Sequence, residues 1–258
     1  MTRRMTTLGL LGFITLSSCA IQSQAEAPDD LQKSKAEFKT DDGVTIVGDY
    51  FPPTGRAISP AAILLHMYNH DRSTWTPLIK PLHEAGFAVL AIDLRGHGES
   101  IEPADMKLVD RVQERDPKLF NDMHKDAQAA IKWVRTQPNV DQERLVLIGA
   151  SVGCSVSIDT MAREPSVDAI VCMTPGTNYL GVDSAEQILK TGDRPILLLA
   201  TEDEREATDA LAKAADNATG EIVGSGRVHG TNMLGKIDGI EAKITAFVRD
   251  AVHNPKGN

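Results

Sequence analysis

A serine hydroxyl attacks a carbonyl only when a neighbouring base takes its proton, and Ser151 has surroundings suited to that chemistry. It sits in "LVLIGASVG", a G-x-S-x-G pattern that follows an apolar run and precedes "VGCSVSIDTMA". A serine on a sharp strand-to-helix turn is lifted above the sheet edge, and bulky neighbours two residues either side would collide there. Gly149 and Gly153 therefore make room. The N–H of Val152, at the start of the helix, is aimed at the oxygen that develops charge during the attack.

The proton acceptor is sought downstream. Of the seven histidines only His229 and His253 follow Ser151. His253 falls on the flank of a terminal apolar helix, a surface position, whereas His229 lies in "GSGRVHGTNML", a glycine-rich loop able to reach over a sheet edge. An imidazole acting as base needs a carboxylate to hold its tautomer. "ILLLATEDERE" ends a strand in Glu202, Asp203 and Glu204. Asp203, the third residue past Ala200, is the first choice and Glu202 the second; an acidic run also suits a solvated helix start.

These side chains need a scaffold that brings distant segments to one edge. "VTIVGDYF" follows an Asp42-Gly43 turn and pairs with the stretch around Phe38 as an antiparallel hairpin. Short apolar runs at residues 61–66, 87–94, 144–150, 168–174 and 195–201 fit strands buried on both faces. Between them, Asp116-Pro117 caps a stretch in which Phe120, Met123, Ala127, Ile131 and Val134 recur at helical spacing. A last helix carries Ile240, Ile244, Phe247 or Val248, and Val252 on one side. Strand and helix alternate, so the expected class is α/β, a mostly parallel sheet covered on both faces.

The elbow, together with "IDLRGHGES" at 92–100 and "LLHMYNHDRSTW" at 64–75, resembles the α/β-hydrolase superfamily in order and spacing, from about residue 38 to 252. The resemblance implies Ser151, Asp203 and His229 as the catalytic set, acid before histidine. It implies an oxyanion hole from the N–H groups of Val152 and of Tyr68 or Met67. One departure is His66-Met67, where the family has His-Gly. About twenty residues separate the runs at 168–174 and 195–201, too few for a large cap domain, as in the dienelactone-hydrolase-like and small serine esterase branches. The stretch at 174–183 frames one side of the pocket. His97 reads as a structural loop residue; His66 and His70 either line the entrance or bond backbone, and Tyr68 and Trp75 either flank the acyl site or pack.

The chain has 258 residues, 41% of them hydrophobic, enough for one core. Its net charge of -9, with scattered basic residues, excludes a nucleic-acid partner. No cofactor and no metal are expected, since no His, Cys, Asp and Glu cluster has ligand spacing. Arg3-Arg4, the apolar residues 8–16 and "LSSCA" resemble the signal of a bacterial lipoprotein, in which Cys19 is acylated. The expected organisation is a signal over 1–19, a polar tether over 20–35 and one hydrolase domain over 36–258. That implies a lipid anchor on Cys19, with the domain on the periplasmic side of a bacterial cell envelope. Cys154 and Cys172 are expected as buried free thiols, with a disulfide between them compatible but not required. The expected partner is a small-molecule ester or thioester. A non-catalytic binding scaffold, or a peptidase, acyltransferase or perhydrolase with the same residues, stays open.

Overall fold

The computed structural model describes Met1 and residues 31–55 and 57–253. Cys19, the segment read as a signal and most of the polar stretch before residue 35 lie outside the described residues. From Leu31 onward the chain is one compact unit. Its sheet has eight strands: β1 (Ser34–Lys39), β2 (Thr45–Phe51), β3 (Ser59–Leu65), β4 (Ala88–Ile92), β5 (Val140–Ala150), β6 (Ala169–Met173), β7 (Ile196–Ala200) and β8 (Ala218–Ile222). Their spatial order is β1-β2-β4-β3-β5-β6-β7-β8. Only the pairs β1-β2 and β2-β4 are antiparallel, with Phe38 opposite Ile46 in the first hairpin. The other pairs are parallel. This is the α/β-hydrolase arrangement expected from the sequence.

Strand side chains alternate between two apolar layers. Ile63 and Leu65 of β3, with Leu145 and Leu147 of β5, face one layer; Ala62, Leu64, Val146 and Ile148 face the other. All are essentially inaccessible to solvent, which is why these runs read as unbroken hydrophobic stretches. Helices α2 (His124–Val134), α3 (Val152–Arg163) and α4 (Arg205–Ala214) supply apolar residues to the first layer. Helices α1 (Thr76–Glu84) and α5 (Ile240–His253) supply the second. In α5, Val248 is buried while Phe247 is only partly so, which settles the choice between them.

The stretch that begins at Asp116-Pro117 is divided: a short helix Pro117–Asn121 precedes α2, with a turn at residues 122–123. Asn121 Nδ2 donates to the carbonyls of Pro117 and Gly181, a side-chain bond of the kind that competes with continued helix. The apolar spacing survives because Phe120, Met123, Ala127, Ile131 and Val134 are all buried. Cys154 and Cys172 are buried free thiols, and burial holds the Cys154 thiol well above its ordinary pKa.

Candidate active site

The sheet order reverses around β3, whose neighbours are β4 on one side and β5 on the other. Connections leave in opposite directions there, and the crevice at the carboxyl ends of such strands is where α/β folds accommodate ligands. Ser151 stands at that point, directly after β5 and directly before α3. Its backbone has φ 52 and ψ -117, a left-handed conformation that costs a non-glycine residue about 1–3 kcal/mol. Its N–H donates to Met173 O at 2.9 Å, which fixes the elbow to the end of β6.

The glycines around Ser151 are required by two different neighbours. A Cβ on Gly149 would lie 2.2 Å from Gly153 O and 2.6 Å from Ser157 Oγ, the expected conflict between strand and helix. A Cβ on Gly153 would lie 2.1 Å from Leu65 O and 2.8 Å from His66 O. The second glycine therefore makes room for the end of β3, where the loop with the oxyanion candidates begins, rather than for its own strand.

That loop is held by His66, which is fully buried. Leu94 N–H donates to His66 Nε2 at 2.9 Å, so the proton of the neutral ring is on Nδ1, which donates to Met67 O at 2.8 Å. Burial pushes the His66 pKa down to about 3. His97 packs edge-on to His66 at 5.0 Å and bonds Arg95 O, the structural role expected of it. His70 Nδ1 bonds Tyr68 O. Trp75 is fully buried in the second apolar layer and packs rather than flanking the cleft. Among the described residues no hydrogen bond is donated by the N–H groups of Val152, Met67 and Tyr68.

His229 follows β8 in a loop tied to the end of β7. Val228 N–H donates to Thr201 Oγ1 at 3.1 Å, and the N–H groups of Glu202 and Asp203 donate to Gly224 O and Gly226 O. The carboxylate on the imidazole is neither Asp203 nor Glu202. It is Glu204, whose Oε1 lies 2.9 Å from His229 Nδ1. The cause is the 3-10 turn Glu202–Glu204, in which successive side chains point about 120° apart. Glu202 turns outward to Arg205 at 2.9 Å, Asp203 is exposed on the cleft wall, and Glu204 comes round beneath the ring. The acidic run was visible in the sequence, but which member faces inward depends on that turn.

The segments meet at Gly230, one residue from His229, against Ala150, one residue from Ser151. A Cβ on Gly230 would lie 3.5 Å from Ala150 Cβ and 2.8 Å from Met67 Sδ. Gly230 N–H donates to Thr174 Oγ1 at 3.0 Å. Thr174, directly after β6 with φ 56, belongs to the stretch expected to frame the pocket, but its bond to the His229 loop carried no signal in the sequence. With Nδ1 engaged by Glu204, the second ring nitrogen of His229, Nε2, is the one left open. Among the described residues no hydrogen bond joins that nitrogen to Ser151, and such bonds commonly tighten only when substrate binds. Beside His229 lies an open cleft of about 530 Å3, lined by residues 174–179, Asp203, Glu206 and Arg227 among others. The stretch 174–183 thus forms one wall, through residues 174–179.

The family model described as serine aminopeptidase, S33, matches residues 58–203, more than half of the chain. The uncharacterized protein Rv2307c of Mycobacterium tuberculosis is 30% identical over 145 residues, 56% of this chain and 46% of its own length. The thiohydrolase aneE of Aspergillus aculeatus is 29% identical over 143 residues, 55% of this chain and 41% of its own. The chain thus spans less than half the length of these two relatives. Among solved structures, the Pyrococcus furiosus esterase Pf2001 superposes with a TM-score of 0.65 at 19% identity, covering 88% of this chain and 96% of that one.

Proposed function

Because the chain belongs to the serine aminopeptidase S33 family of α/β hydrolases, a family of hydrolases, we propose that it cleaves carboxylic esters or thioesters through an acyl-enzyme on Ser151. Ser151 Oγ attacks the carbonyl carbon while His229 Nε2 takes its proton. Glu204 holds the Nδ1–H tautomer and offsets the imidazolium charge. The N–H of Val152 with that of Tyr68 or Met67 receives the oxyanion. His229 then gives its proton to the departing alcohol or thiol. Water, deprotonated by the same imidazole, releases the acid and restores the serine.

The observation that carries this reading is the His229–Glu204 bond on a loop packed against Ala150 and Met67, one residue from the nucleophile and one loop from its oxyanion donors. The thiohydrolase and esterase likenesses favour ester and thioester substrates over amides. A binding scaffold without catalysis is favoured only by Met67 at the family's glycine position. A fluorophosphonate probe decides between them: Ser151 labels covalently and Ser151→Ala does not, whereas an idle serine leaves both unlabelled. We also propose that Cys19 is acylated and tethers the domain, on its periplasmic side, to a bacterial cell envelope. Radiolabelled palmitate should enter the full-length protein and not Cys19→Ala; equal labelling of both removes the anchor.

A further inference from the structure

Met67 stands where the hydrolases this chain resembles carry glycine, and its side chain is buried rather than turned to solvent. Its backbone is fixed from within the loop after β3. Met67 O accepts the Nδ1–H of His66 at 2.8 Å and the N–H of His70 at 3.2 Å, so both of its lone pairs are engaged. The side chain leaves that loop and joins the second apolar layer with Ala150 and Met233.

There it meets the loop of the base. Thr231, which is buried, donates its Oγ1 proton to Met67 Sδ at 3.8 Å. Gly230 runs along the methionine: a Cβ there would lie 2.8 Å from Sδ and 3.7 Å from Met67 Cβ. The two loops are complementary, a long side chain at 67 facing bare backbone at 230, which is the residue after His229. An unbranched thioether suits an irregular gap of this kind, and its sulfur is a weak acceptor.

His229 is therefore held by contacts from three elements: Glu204 on Nδ1, Thr174 on Gly230 N–H, and Met67 against Gly230 and Thr231. The last of these ties the base to the loop whose N–H groups are oxyanion candidates. With glycine at 67 the space beside Gly230 would be empty, and the two loops could shift independently. A misplacement of about 1 Å between reacting groups costs about a hundredfold in rate.

We infer that Met67 is a positioning residue, whose side chain couples the loop after β3 to the loop of His229 so that base and oxyanion donors keep one geometry. The inference rests on Ser151 as nucleophile and His229 as its base. Every substitution at 67 other than proline keeps the backbone N–H, which separates the side chain from oxyanion donation.

The test compares Met67→Ala, Met67→Gly and Met67→Leu with wild type in the rate constant for labelling of Ser151 by a fluorophosphonate, in kcat and KM on para-nitrophenyl acetate, and in Tm. Met67→Ala should label about tenfold to a hundredfold more slowly, with kcat falling in step and KM within about twofold of wild type. Met67→Gly should lose at least as much, although it restores the family's residue. Met67→Leu, close in volume, should recover most of the loss. A lower Tm in Met67→Ala with labelling and kcat at wild-type level overturns the inference, since the methionine then only packs. Met67→Gly as fast as wild type, or Met67→Leu no faster than Met67→Ala, overturns it too. In each of these cases wild type still labels and Ser151→Ala does not, so the acyl-enzyme reading stands. If wild type fails to label, that reading falls and this inference falls with it.

Discussion

Glu204 and Asp203 are adjacent carboxylates at the end of β7, and only one of them touches the imidazole. The distinction is testable because a glutamine at 204 keeps the shape of the side chain while presenting an amide to Nδ1, which disfavours the productive tautomer. Glu204→Gln should lower kcat by about two to four decades, on the scale of losing a triad acid. Asp203→Asn should cost at least tenfold less in the same assay. Equal losses, or a larger loss at 203, would remove Glu204 from the role. Ser151→Ala should fall by about three decades or more, and the residual rate measures what the oxyanion donors and binding supply alone.

At the scale of elements, the site depends on how closely α3, the loop after β3 and the loop after β8 approach. Gly153→Ala places a methyl group 2.1 Å from Leu65 O, a backbone atom that cannot swing aside. The loop carrying Met67 and Tyr68 must then move. We expect a loss of about 2–3 kcal/mol in urea unfolding, together with a fall in kcat from displaced oxyanion donors. Thr174→Val keeps shape and burial but removes the acceptor for Gly230 N–H, leaving a buried donor unpaired at about 1–3 kcal/mol. The His229 loop should loosen, so kcat should drop more than KM rises; a variant matching wild type in both would show that Thr174 does not position the histidine.

For the whole molecule, the buried pair His66 and His97 makes folding sensitive to acid. Burial lowers both pKa values, His66 to about 3, below the ordinary value of 6.5. The folded state therefore binds fewer protons than the unfolded chain between those values. The stability is fully present above pH 6.5 and is lost as pH falls toward 3, at about 1.4 kcal/mol per pH unit for one such group. A protonated His66 also has no lone pair left for Leu94 N–H. Urea unfolding at pH 7, 6 and 5 should show this slope. His66→Asn should flatten it while lowering stability at pH 7; a slope unchanged by the substitution would place the acid sensitivity elsewhere.

The sequence by itself determined the strand runs, the antiparallel start and the elbow around Ser151, because each is written in local period, composition or glycine placement. Runs buried on both faces carry a continuous hydrophobic signal, and a strand-to-helix turn needs small residues at fixed offsets. It also pointed to His229 and to the acidic run 202–204, but named Asp203 and then Glu202 rather than Glu204. The tertiary structure decided the rest. Glu204 replaced Asp203 because a 3-10 turn sets side-chain direction in steps that residue types do not record. Gly153 answers to a carbonyl of β3, Thr174 to a loop 56 residues away, and the helix before α2 breaks where Asn121 reaches Gly181. Each of these depends on a partner distant in the chain, and only packing brings such partners within bonding range.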